Sequence, residues 1–182
     1  WEQAESELQR RALQHALRKG GMTMEDLDAV VTGDLLNQCI GGSFALRNEP
    51  LAVAGLYSAC ATMGEGLVLS SLLIAGGAMK HAAVMASSHF CAAERQYRFP
   101  LEYGGQGPPT AQWTVTGSGA AVLERSHGGN GIYVTAATPG KIVDYGITDK
   151  ANMGACMAPA AVSTISAHLR DLGLQPEYYD KI

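Results

Sequence analysis

Leu56-Tyr-Ser-Ala-Cys60-Ala-Thr-Met-Gly64-Glu-Gly66-Leu-Val-Leu-Ser-Ser-Leu-Leu-Ile-Ala-Gly76-Gly77 is the stretch on which the fold turns. A short apolar run, Leu51 to Tyr57, leads into it, and a second, His81 to Ser87, follows it. The first reads as a short apolar strand, the second as a buried strand, and the segment between them as a helix. Glu65 is the only charge from Leu51 to Met79, which invites a membrane reading. Glycines at 64, 66, 76 and 77 break the stretch, and the apolar run Leu67 to Ala75 falls far short of the ~20 residues of a span. A helix buried in a protein core is the expectation.

Working outward, Leu27 to Thr32 (LDAVVT) reads as another buried strand. Before it, residues 2–19 read as a helix with Leu8, Ala12, Leu13, Ala16 and Leu17 on one face, ended by Gly20-Gly21. Thr23-Met-Glu-Asp26 reads as a short helical turn, with Thr as cap and acids in the first turn. A further helix is expected near residues 43–48. Residues 92–113 are polar and rich in Gly and Pro, with Tyr97, Phe99, Tyr103 and Trp113, and read as a long functional loop. Gly117 to Leu123 and Gly131 to Ala137 read as a pair of strands. The alternation of helices and strands makes the chain α/β.

At 182 residues, 47% hydrophobic and 16% charged, the chain can bury a core. A net charge of -4 and a pI near 5.7 argue against a nucleic-acid surface. The four cysteines (39, 60, 91 and 156) are widely and irregularly spaced with no C-x-x-C pair. That argues against a zinc site or a disulfide framework and for reduced thiols in a cytosol-like compartment, with no metal and no cofactor expected. The charged amphipathic opening helix does not read as a signal peptide.

Adding 152 to the early numbers lays the end of the chain on its beginning. Leu17, Arg18, Gly21, Glu25 and Asp28 fall on Leu169, Arg170, Gly173, Glu177 and Asp180, and Leu13 and Val30 fall on Ile165 and Ile182. This is an internal repeat. The expected organisation is one half of a duplicated fold over residues 1–150 and the opening helix of a second half over 151–182.

Cys60 admits two readings. At the start of a helix its sulfur would lie beside unpaired N–H groups and the positive end of the dipole, which favours a nucleophilic thiolate. The other reading is a small inert hydrophobe in a core.

The strand, Ala-Cys60-Ala, helix to Gly76-Gly77 and strand Ala82–Ser87, with the later Gly117-Ser118-Gly119-Ala120-Ala121-Val122-Leu123, resemble the nucleophile region and Gly-rich strand of the thiolase and ketoacyl-synthase superfamily. Within it, Gly33-Asp34-Leu35-Leu36-Asn37-Gln38, Ser87-Ser88-His89, Ala93-Glu94-Arg95-Gln96, Glu102-Tyr103-Gly104-Gly105-Gln106, Thr114-Val115-Thr116-Gly117-Ser118-Gly119 and Gly146-Ile147-Thr148-Asp149 resemble the stage V sporulation protein AD family, over the whole chain. The resemblance implies a thiolase-like fold of βαβαβαββ halves, with the first half, lacking its first strand region, and the opening helix of the second present. It implies a non-catalytic subunit that binds dipicolinic acid, free or as its calcium chelate, for uptake into and release from bacterial spores. SpoVA membrane proteins would be its partners, a homodimer its assembly, and the forespore or spore its compartment, peripherally at the inner membrane. Cys60 falls on the superfamily's nucleophile position. The superfamily draws its catalytic histidines, or His and Asn, from the second half, so no full catalytic set is expected here. A condensing enzyme or acyltransferase using Cys60 is the alternative, and a structural scaffold of a membrane complex is the second.

Dipicolinate is a flat ring with two carboxylates, so its site should combine charge-assisted donors with an apolar slot. Arg95 and Arg98 suit a bidentate grip or a structural ion pair with Glu94 or Glu102. Asn37 and Gln38 either line a pocket or cap a turn. Thr116 and Ser118 either donate to a ligand or satisfy a strand entry. Of five histidines, His15 and His168 read as solvated, His127 as a turn residue and His81 as a strand start. His89 stands at the carboxyl end of a strand, where α/β sheets place ligands.

Overall fold

The computed structural model describes residues 1–97, 109, 113–149 and 152–181, with the side chains of 95–97 excepted. They fall into two compact units: residues 1–97 with 113–133, and residue 109 with 134–149 and 152–181.

In the first unit, α1 (Glu2–Gly20) precedes β1 (Ala29–Asp34), α2 (Ile40–Leu46), β2 (Ala52–Leu56), α3 (Thr62–Ala75), β3 (His81–Ser88), α4 (Phe90–Tyr97) and β4 (Gly117–Glu124). The sheet order is β2-β1-β3-β4. β1 runs parallel to both β2 and β3, while β4 is antiparallel to β3 from His81↔Glu124 to Ser88↔Gly117. The α/β expectation therefore holds.

Strand periodicity sorts the side chains to two faces. Val30, Ala83 and Met85 pack with Leu13 and Leu17 of α1 and with Ala45 and Leu46 of α2. Val31 and Val84 face α3 across Gly66, where a β-carbon would stand 2.5 Å from Val84 Cγ1. Thr62, Gly66, Ser70 and Ile74 form the stripe of α3 that meets the sheet, with small residues allowing close approach. The opposite side of α3 is open, with Leu72 63% exposed. The expectation of a helix buried all round is corrected: one layer covers one stripe. Arg125 donates to the carbonyls of Ile74 and Ala75 at 3.1 and 2.9 Å, which closes the carboxyl end of α3.

Two further expectations fail. The presumed loop 92–113 is helical at its start, because α4 runs from Phe90 to Tyr97, while residues 98–108 and 110–112 of it lie outside the described residues. Gly131 to Ala137 forms no strand and β4 pairs with β3 instead; a strand needs a ladder partner, and Ile132 and Val134 stand exposed.

The second unit holds α5 (Met153–Leu172) and a 3-10 turn at Pro176–Tyr178. With the offset of 152, α1 and its 3-10 turn at Met24–Asp26 map onto 154–172 and 176–178. The helix and the 3-10 turn that follows it thus recur at the offset of 152. His168, expected to be solvated, is half-buried: Thr138 Oγ1 is 2.8 Å from Nδ1 and Tyr179 OH 2.6 Å from Nε2.

Candidate functional site

The parallel strands β1, β2 and β3 end at one edge of the sheet, the edge where parallel α/β sheets bind ligands. Cys60 lies there, in the 3-10 turn Ala59–Ala61 that leads from β2 into α3, and its side chain is exposed. The residue before it, Ala59, takes φ 48°, a left-handed conformation that β-carbon sterics disfavour. The turn is held by Ala61 N donating to Ser58 O at 2.9 Å and by Thr62 Oγ1 donating to Ala59 O at 2.8 Å. Ser58 Oγ donates to Glu65 in the first turn of α3. No side chain caps α3; the amide of Thr62, its first residue, donates to Ala59 O within the 3-10 turn. Cys60 is therefore not buried in a core: its side chain is exposed at the amino end of α3.

The loop after β1 is organised by Asp34, which is 1% exposed. Its carboxylate accepts from Asn37 N at 2.6 Å and Gly41 N at 3.1 Å, tying the loop to the start of α2. Gln38 and Cys39 within it take φ 57° and 66°. Gln38 is exposed, while Asn37 is half-buried and its Nδ2 has no hydrogen-bond partner. Cys39 Sγ donates to Leu56 O at 3.0 Å, so the β1 loop is stitched to the end of β2. Burial, with the nearby Asp34 charge, pushes the Cys39 thiol pKa up and keeps it a thiol.

His89 follows β3 and falls on the opposite face from α3. Its ring stacks on Trp1 at 5.4 Å, and its Nδ1 accepts from Cys91 N at 3.3 Å. No hydrogen bond or ring contact joins it to Cys60 among the described residues. Thr116 Oγ1 accepts from Phe90 N at 2.9 Å and so caps α4, and Ser118 Oγ donates to Ala86 O at 2.9 Å. Each hydroxyl thus has a protein partner. Glu94 holds Thr114 through its backbone N–H and its hydroxyl, both at 3.2 Å. Arg98 lies outside the described residues, as does the side chain of Arg95.

Sequence reasoning missed a buried polar chain on the α1 face. Thr32 Oγ1 donates to Gln9 Oε1 at 2.8 Å. Gln9 Nε2 donates to Gly33 O at 3.0 Å and to Ser87 Oγ at 2.6 Å, and Ser87 Oγ donates to Glu5 Oε1 at 2.7 Å. A signal was present, since 5, 9, 13 and 17 are successive i,i+4 positions and all four residues are buried. The polar identity of Glu5 and Gln9 hid that stripe.

A family model described as Stage V sporulation protein AD (SpoVAD) matches residues 1–182. Stage V sporulation protein AD of Bacillus subtilis (strain 168) is 44% identical over 182 residues, which cover 100% of this chain and 53% of that protein. The chain thus spans about half the length of that relative. A variant of OleA from Xanthomonas campestris bound with cerulenin superposes with a TM-score of 0.69 at 15% identity, covering 96% of this chain and 56% of that one. A second OleA variant, with bound lauric acid and lauroyl-CoA, gives 0.67 at 17% identity, covering 96% and 59%. AbyA1, a tetronic acid condensing enzyme, gives 0.57 at 19% identity, covering 93% and 59%. At these identities the likeness establishes the fold, which is thiolase-like.

Proposed function

The chain belongs to the stage V sporulation protein AD family, and from that premise we propose that it is the first half of a non-catalytic, thiolase-like subunit that binds dipicolinic acid. The ligand would be carried into the developing spore and released again, with SpoVA membrane proteins as partners. Residues 1–150 would form one half of the duplicated fold and 151–182 open the other. The protein would work in the cytosol-like interior of the forespore, held peripherally at the inner membrane. No helix among the described residues is long and apolar enough to cross a membrane, which is compatible with that arrangement.

The observation that carries the reading is the exposed Cys60 turn at the carboxyl edge of β1, β2 and β3, where α3 begins without a side-chain cap. Amide donors at a helix start suit a carboxylate, and the ligand has two. Asn37 and Gln38 from the β1 loop and His89 after β3 would complete the rim; Arg95 and Arg98 remain candidates for the second carboxylate. Thr116 and Ser118 would contribute through the segments they fix. Two open surfaces fit the larger assembly. β2 is an edge strand with Ala52 to Gly55 exposed, a surface a second copy would pair with in a homodimer. Leu69, Leu72 and Leu73 on the open side of α3 suit cover by a second half.

The same exposed thiol favours one alternative, a condensing enzyme or acyltransferase in which Cys60 is acylated. Calorimetric titration of dipicolinic acid into the full-length protein and its Cys60→Ala variant, with mass analysis after exposure to a short acyl-CoA, separates the readings. Saturable binding without an adduct is the expected result. An adduct on Cys60 with no dipicolinate binding would establish the alternative. Neither response would leave a structural scaffold.

A further inference from the structure

The polar chain on the α1 face is a directed series of hydrogen bonds. Thr32 donates to Gln9, Gln9 to Ser87, and Ser87 to Glu5. The series terminates on a carboxyl group that is 1% exposed and forms no ion pair among the described residues. A buried carboxylate is ordinarily paired or richly hydrogen-bonded, because ionisation away from water is costly. Among the described residues, Glu5 has one hydroxyl donor, Ser87. The groups that face it are Asp34 from β1, Ser87 and then His89 from the end of β3, and Glu2 from its own helix. α2 presents Gly41, which has no titratable group; a β-carbon there would stand 3.4 Å from both Glu5 Cγ and Asp34 Oδ2.

We propose that Glu5 is a positioning residue and a proton-dependent latch: neutral, it seats α1 on the carboxyl ends of β1 and β3, and ionised, it loosens that seat. The route from Glu5 to the candidate site is short on both sides. Charge on Glu5 acts on Asp34, and Asp34 holds the amides of Asn37 and Gly41 that bracket the β1 loop. Ser87 lies two residues before His89 on the same strand exit. Burial first, then the Asp34 charge, raise the Glu5 pKa above its ordinary 4.5, against the Ser87 hydrogen bond and His89, which lower it. An acid with a raised folded pKa stabilises the fold at low pH, and that contribution is lost as pH rises through the folded value. The inference concerns the scaffold of the site and stands without any particular ligand.

The test is hydrogen exchange of the full-length protein between pH 5 and 8, corrected for intrinsic rate, read on a peptide spanning residues 35–41. The amide of Met22, in the cap of α1, is the internal control. The wild-type peptide is expected to lose at least about tenfold in protection over this range while the control changes little. Glu5→Gln, which keeps an acceptor for Ser87 without the charge, is expected to hold the low-pH protection throughout. A flat wild-type profile, an unchanged profile in Glu5→Gln, or uniformly low protection in that variant would each overturn the proposal. If Glu5→Gln does not fold, Ser87→Ala decides: loss of the Ser87 hydroxyl donor moves the midpoint to higher pH, and an unmoved midpoint rejects the latch.

Discussion

At their carboxyl ends α1 and α5 are near copies. Gly21 sits at φ 66°, ψ 26° and Gly173 at φ 65°, ψ 30°. Each donates to the arginine three residues back at 3.2 Å, and the next amide reaches the preceding leucine carbonyl at 2.9 and 2.8 Å. Along their faces the helices part. Where α1 buries Glu5, Gln9, Leu13 and Leu17, the equivalent positions of α5 are Met157, Ala161, Ile165 and Leu169, and none is buried. The cap is a local device, encoded in a glycine and its neighbours. The face is not local: it is decided by the sheet that covers it, and in α1 by three polar groups contributed by β1 and β3.

Substitutions that remove core volume should separate the two helices most. Leu13→Ala is expected to cost about 2–5 kcal/mol in urea unfolding of this chain, since Leu13 is fully buried. Ile165→Ala, at a position 37% exposed, should cost under about 1 kcal/mol. Equal losses would mean that the two faces are packed alike.

Next in size is the polar chain. Gln9→Ala leaves the Thr32 hydroxyl without its acceptor and takes one donor each from Ser87 Oγ and the Gly33 carbonyl, with an expected loss of about 1–3 kcal/mol. The reverse change in the other helix, Ala161→Gln, should move stability by less than about 0.5 kcal/mol at an exposed position. A cost of Gln9→Ala below that of an ordinary surface change would show that the chain of bonds contributes nothing net.

The caps should respond together. A β-carbon at Gly21 or Gly173 meets nothing within 4 Å, so Gly→Ala at either tests backbone conformation alone. Each is expected to cost about 1–2 kcal/mol, and the two values should agree. Disagreement beyond about 0.5 kcal/mol would show that tertiary context reaches the caps, within the additive error of such measurements. The smallest effect belongs to Cys60→Ala, an exposed position where a change within about 0.5 kcal/mol is expected.

The contrast also explains what could be read from sequence. Gly21 and Gly173 announce their helix ends, and β1 and β3 follow from apolar runs because a strand buried on both faces tolerates little else; β2 shows the same apolar run although it is an exposed edge strand. Cys60 was legible as a helix-start cysteine for the same local reason. What escaped depends on distant partners. α4 starts where Thr116 caps Phe90 from 26 residues away, so its polar sequence looks like loop. Gly131 to Ala137 has strand composition without a ladder partner. Glu5 and Gln9 look like solvent-facing residues until Ser87 and Thr32 arrive from other strands. Asp34 was visible inside a motif, but its grip on Asn37 N and Gly41 N follows from the turn after β1.

The account's central claim is that a dicarboxylate binds where β1, β2 and β3 end. Hydrogen exchange of the full-length protein with and without dipicolinic acid tests it most directly. Added protection confined to residues 35–41, 58–65 and 89–91 is the expected result. No change in these segments at saturating acid, or protection centred on the opposite edge of the sheet near Asp28 and His81, would contradict it.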